Sequence, residues 1–169
     1  MDRGLWVPAA GLLTLLCCTL GLVQGEKVLV MPVDGSHWLS MKLLVKELSR
    51  RGHEMVVLVP ETSLVIQGSD TFRTEVFQVP HKKVELLAVI DRLKDDGFSR
   101  RPQLTDIFTS VKQMVNATYI QVKACESLLY NQPLMERLRG EGFQLMLTDP
   151  FLPCGSILAK TFSMLNKHM

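Results

Sequence analysis

From residue 26 onward, short unbroken apolar runs trade places with longer stretches in which apolar residues return every three or four positions. Residues 27–33 (KVLVMPV) lack the in-and-out alternation of a half-buried strand. They predict a strand covered on both faces, as in a parallel sheet. A polar turn follows at Asp34, Gly35, Ser36 and His37. Met41, Leu44, Val45 and Leu48 then fall at i, i+3, i+4 and i+7 and predict a helix with one apolar face. Arg50 and Arg51 suit the negative end of that helix, and Gly52 supplies its left-handed stop. Residues 55–59 (MVVLV) predict a second buried strand, ended by Pro60. Together these make a βαβ unit, for which a right-handed crossover is expected.

The middle of the chain reads as helical. Residues 84–93 carry Leu86, Leu87, Ile90 and Leu93 before Asp95, Asp96 and Gly97 break the pattern. Residues 104–129 form a long amphipathic stretch with Ile107, Phe108, Val111, Met114, Val115, Val122 and Cys125, a stripe that reads as core packing rather than pocket lining. A short helix is expected over 133–139, stopped by Gly140 and Gly142. Residues 143–147 predict a further buried strand ending in Thr148, Asp149 and Pro150, and 154–162 a helix with Ile157, Leu158 and Phe162 as its apolar positions. Residues 166–169 carry no strand signal. The fold class is α/β, a parallel sheet flanked by helices.

Composition narrows the picture. With 47% hydrophobic and 21% charged residues among 169, a packed core is expected and disorder is not. Nineteen basic residues are dispersed among seventeen acidic ones, leaving a net charge of +2 and no basic stripe for a nucleic-acid backbone. Arg3 precedes an apolar stretch over 9–20, interrupted at Gly11 and flanked by Pro8 and Gly21. Residues 1–25 therefore read as a cleavable secretory signal that directs the chain to the endoplasmic reticulum, not as a membrane anchor. No transmembrane helix is expected in the mature chain. Cys17 and Cys18 leave with the signal. Cys125 and Cys154 each sit in an apolar helical pattern and read as buried free thiols rather than a disulfide. With no CxxC, HExxH or His/Cys cluster, no metal site is expected. Asn116-Ala117-Thr118 matches an N-glycosylation acceptor, and Asn116 shares a helix face with Lys112 and Lys123, which points it to solvent.

Two polar residues stand at informative places. His37 lies just past the carboxyl end of the first strand, and Asp149 at the carboxyl end of a later strand in the same expected sheet. Ligands of open α/β sheets bind outside those strand ends. A carboxylate there can bond one imidazole nitrogen, fix the tautomer and stabilise the cation formed when the other nitrogen takes a proton. The alternative is structural: His and Asp at strand ends also form turns, and Ser36 or Asp34 would then serve as helix caps. His53 reads as a surface turn residue, and His81 and His168 have no supporting context. A hydrolase with Ser36 as nucleophile lacks the G-x-S-x-G elbow, and no glycine-rich phosphate loop is present.

Residues 28–41 (VLVMPVDGSHWLSM) closely resemble the start of the mature UDP-glucuronosyltransferases, particularly family 1. Glu47-Leu48, Arg51-Gly52-His53-Glu54, Val56-Val57-Leu58 and Pro60-Glu61 continue the likeness, and residues 143–150 and 154–160 resemble a second landmark of the family. The resemblance implies the Rossmann-like amino-terminal, acceptor-binding domain of a GT-B glycosyltransferase over 26–160. It implies transfer of glucuronic acid from UDP-glucuronate to lipophilic phenols, alcohols, acids or amines with inversion, His37 as general base and Asp149 as its partner. Acceptor selectivity would come from residues 62–130. The family's donor-binding domain and carboxyl-terminal membrane helix have no counterpart here, and 161–169 leaves the family pattern. The chain thus reads as a truncated domain that binds no cofactor of its own and is inactive alone. The alternatives are a regulatory fragment that associates with full-length relatives, or a non-functional splice product.

Overall fold

The computed structural model describes residues 25–97 and 104–168, so the expected signal at the amino terminus lies outside the described residues. Each apolar run becomes a strand and each three-four pattern a helix. In chain order the elements are β1 (Lys27–Met31), α1 (Ser36–Arg50), β2 (Glu54–Pro60), β3 (Arg73–Phe77), α2 (Lys83–Gly97), α3 (Leu104–Tyr130), α4 (Gln132–Gly140), β4 (Leu145–Thr148), α5 (Cys154–Thr161) and β5 (Leu165–His168). The strands form one sheet in the order β3-β2-β1-β4-β5, and every pairing is parallel.

The sheet is covered on both sides, which is why its inner strands are apolar throughout. On one face Val28, Val30, Val57, Val59 and Leu147 pack against Trp38, Met41 and Val45 of α1. On the other, Leu29, Val56, Leu58 and Met146 meet Leu128 of α3, Leu134 and Leu138 of α4, and Leu158 of α5. Burial of each such aliphatic side chain stabilises the fold by roughly 1.5–3 kcal/mol. The α1 face is rotated from its expected position. Trp38 is fully buried and Leu44 is 36% exposed, so the inward stripe runs through 38, 41, 45 and 48.

Several expectations are overturned. The α3 stripe is not core over most of its length: Ile107, Phe108, Val111, Met114, Val115 and Val122 are all exposed. A helix of 27 residues extends about 40 Å, whereas these strands have four to seven residues, or at most about 24 Å. Only the last turns of α3, with Ala124 and Leu128, reach the sheet; earlier turns run alongside α2.

Cys125 and Cys154 are not free thiols. They form a disulfide with Cα atoms 5.8 Å apart, because α3 ends against the start of α5. Closing this loop stabilises the fold by about 3–4 kcal/mol on the chain-entropy model.

Residues 165–168 form the edge strand β5 beside β4, where no strand was expected. The preceding helix stop is hidden in the sequence because it uses no glycine. Ser163 takes the left-handed conformation (φ 55°), and the Met164 N–H bonds back to the Ala159 carbonyl at 2.8 Å, the closure of a Schellman turn. β3 is likewise an unforeseen edge strand, whose polar residues are held by ion pairs.

Candidate active site

Chain order along the sheet sets the position of the site. From β1 the chain moves outward to β2 and β3, then returns to place β4 on the opposite side of β1. Ligand crevices in open α/β sheets form where the order reverses in this way. β1 and β4 run parallel with Met31 level with Thr148. The residues that follow each strand therefore emerge side by side. His37 is the second residue of α1, and Asp149 directly follows β4. Gly155 lets α5 approach closely, since a Cβ at that position would lie 1.9 Å from Thr148 Oγ1.

The structure brings the two expected residues together. His37 Nδ1 lies 2.7 Å from Asp149 Oδ2, although 112 residues separate them in sequence. The carboxylate is buried and the imidazole is 45% exposed. The other carboxylate oxygen, Oδ1, accepts the Phe151 N–H at 2.8 Å, which fixes the orientation of Asp149. A carboxylate can only accept, so the imidazole proton sits on Nδ1 and leaves the Nε2 lone pair free to take another. Among the described residues nothing hydrogen-bonds Nε2. The Phe151 ring stands 5.5 Å from the imidazole, tilted by 54°.

Two hollows meet at His37. One is an open cleft of about 570 Å³ lined by Ser36, Ser40, Asp149 and Pro150. The other is a predominantly apolar cavity of about 450 Å³. Leu64 and Val65 form one of its walls, Leu86, Val89 and Ile90 of α2 another, and Met114 and Ala117 of α3 a third. His37 and Phe151 line both hollows.

The remaining expected features resolve differently. Neither Ser36 nor Asp34 caps α1: the cap position is Gly35, with no side-chain bond. Instead the Asp34 carboxylate turns to the 61–66 segment, accepting from Ser63 Oγ and from the Leu64 and Val65 amides. Asn116 is exposed on α3, as expected for a glycosylation acceptor. His53, expected at a surface turn, accepts the Glu26 N–H at Nδ1 (3.0 Å) at the far end of the sheet. His81, passed over in the sequence, bonds Thr62 Oγ1 at 3.0 Å, and burial lowers its pKa below the usual imidazole value.

Comparison with known proteins decides the family. The family model "UDP-glucoronosyl and UDP-glucosyl transferase" matches residues 26–168. The chain belongs to this family. It is 39% identical over 162 residues to UDP-glucuronosyltransferase 1-2 of Rattus norvegicus, covering 95% of this chain and 30% of that relative. It is 37% identical over 154 residues to human UDP-glucuronosyltransferase 1A1, covering 90% of this chain and 29% of the relative. The chain thus spans about 30% of the length of the curated glycosyltransferases it matches. A solved structure, Glycyrrhiza uralensis UGT73P12 complexed with glycyrrhetinic acid 3-O-monoglucuronide, aligns over 86% of this chain and 28% of its own. Its TM-score of 0.48 at 12% identity is too loose a likeness to build on. Among the described residues, no helix of this transferase-family chain is long and apolar enough to cross a membrane.

Proposed function

We propose that this chain is the acceptor-side part of a UDP-glucuronosyltransferase and that His37 and Asp149 carry its chemistry. A lipophilic phenol or alcohol enters the apolar cavity with its hydroxyl toward His37. Nε2 removes the hydroxyl proton as the oxygen attacks the anomeric carbon of UDP-glucuronate, presented from the open cleft. The bond to UDP breaks on the opposite face, so the anomeric centre inverts and UDP leaves with the bonding pair. Asp149 holds the Nδ1–H and balances the imidazolium. General-base assistance of this kind contributes about 10²–10⁴-fold. The observation that carries the reading is the 2.7 Å His37–Asp149 bond at the boundary between an apolar cavity and an open cleft.

The disulfide supports a lumenal site of action, since such bonds persist in oxidising compartments. On that reading residues 1–25 act as a signal into the endoplasmic reticulum, and exposed Asn116 receives a glycan on the way. UDP-glucuronate is a co-substrate, and its binding falls to segments other than those described here.

The test is transfer of radiolabelled glucuronate to a panel of phenols by the purified stretch 26–169. The stretch alone gives no product; adding a separately expressed donor-binding half of a relative restores transfer, and His37→Ala abolishes it again. Transfer that survives His37→Ala at full rate overturns the assignment.

A further inference from the structure

We infer that Asp34 is a positioning residue that sets acceptor affinity without touching the reacting atoms. The inference rests on the acceptor reading of the apolar cavity. Residues 61–66 have no regular secondary structure, yet they supply Leu64 and Val65 as one wall of that cavity. Backbone-to-backbone bonds reach only the first half of the segment: the Glu61 N–H donates to the Phe77 carbonyl at 2.9 Å and the Ser63 N–H to the Pro60 carbonyl at 2.9 Å. The amides of Leu64 and Val65 meet no backbone carbonyl among the described residues. Both donate instead to Asp34, at 2.6 Å to Oδ2 and 3.3 Å to Oδ1.

Ser63 Oγ adds a third donor to Oδ2 at 3.1 Å and itself accepts the Ile66 N–H at 3.1 Å. The Gly35 N–H completes the set at 2.9 Å to Oδ1. Among the described residues no lysine or arginine pairs with Asp34, so its charge is met by these four donors. The carboxylate thereby links the turn that carries His37 to the wall that faces an acceptor. Catalytic base and hydrophobic wall are held in register by one side chain, three residues before His37.

The function of such a link is selective. A single-ring phenol occupies little of the cavity and depends weakly on where its walls stand. A two-ring phenol such as 4-methylumbelliferone must fit between Leu64, Val65 and the α2–α3 walls. Asp34→Asn keeps the shape but replaces one accepting oxygen by an NH₂ that opposes the donors around it. Asp34→Ala removes all of the acceptors.

The experiment is equilibrium binding of 4-methylumbelliferone and of phenol to the whole chain, followed by fluorescence, with melting curves for each variant. Asp34→Asn and Asp34→Ala weaken 4-methylumbelliferone by about tenfold, the lower range for lost charged hydrogen bonds, while phenol binds as before. Ser63→Ala changes the ratio in the same direction and by less. If Asp34→Ala does not fold, Asp34→Asn and Ser63→Ala carry the test. An unchanged affinity ratio in folded Asp34→Asn, or equal loss for both phenols, overturns the inference. A wild-type chain that binds neither phenol removes the acceptor reading itself and the inference with it.

Discussion

The two ends of the sheet are both rich in polar groups, yet they use them in opposite ways. At the amino end, Lys27 of β1 pairs with Glu54 (3.2 Å) and Glu141 (2.8 Å), Arg73 with Glu75 and Glu141, and Arg137 with Glu75 (2.6 Å). These six charges neutralise one another across β1, β2, β3 and α4. At the carboxyl end the candidate site rests on a single pair. His37 and Asp149 satisfy each other at Nδ1 alone, and His37 lines both hollows. Density of charge is therefore a poor guide to function here. An unspent lone pair beside an apolar cavity is a better one.

The sharpest way to break this contrast is to remove one group from each end. His37→Ala should lower glucuronate transfer in the complemented enzyme by about 10³-fold and cost about 1–3 kcal/mol of stability, because it leaves the buried Asp149 carboxylate without its partner. Steady-state rates and a melting curve check both halves of that statement. Breaking the disulfide tests the carboxyl end as a scaffold. Cys125→Ser should cost about 3–4 kcal/mol of stability, read by denaturant unfolding, and should disturb the Asp149 loop because Cys154 lies five residues beyond it. Arg73→Ala, at the amino end, should cost only about 1 kcal/mol, with phenol binding preserved. Loss of binding in that variant would mean the two ends are coupled.

The smallest effects are those of pH. Burial opposes the ionised form of Glu141, but the hydrogen bond from Lys27 and the charges of Arg73 and Lys27 outweigh it and lower its pKa below the ordinary 4.5. Its stabilisation is thus complete above about pH 4.5 and lost as pH falls through the lower folded value. Lys27 runs the other way. Its bond to Glu141 raises its pKa above 10.5, so its contribution is complete below that pH and lost as pH rises through the folded value. Burial lowers the His81 pKa from 6.5, against the opposing charges of Glu85 and Glu61. Stability from this neutral ring is complete above 6.5 and declines as pH falls toward the folded value. His81→Phe should flatten that decline in melting curves taken between pH 7 and pH 4.5, while the loss due to Glu141, below pH 4.5, remains.

The contrast also explains what could be read from sequence. β1, β2 and β4 were legible because helices cover both faces of the sheet, so their apolar runs are unbroken. Parallel strands put all carboxyl ends on one side, which made His37 and Asp149 visible as a pair without knowing the distance between them. Edge strands lack that signature. β3 opens on three polar residues, Arg73, Thr74 and Glu75, and so shows no unbroken apolar run, and β5 is recruited by backbone pairing after a turn in which Ser163 replaces the usual glycine. The disulfide was missed because periodicity describes each helix separately, whereas a Cα separation of 5.8 Å depends on how α3 meets α5. The Asp34 link was missed for the same reason: its donors lie about thirty residues away, at 63–65. The exposed α3 stripe shows the converse, a pattern that marks an amphipathic helix but not how much of it the core can cover.

The most direct test uses the histidines as reporters of the two ends. Imidazole ¹⁵N and ¹H resonances of the chain, followed as 4-methylumbelliferone is added, separate His37 at the cavity from His53 at the amino end. Saturable shifts at His37 Nε2, with His53 unmoved and the effect absent in Leu64→Trp, a variant that fills the cavity, are the predicted result. A silent His37, or shifts of equal size at His53, would contradict the assignment of the carboxyl end as the acceptor site.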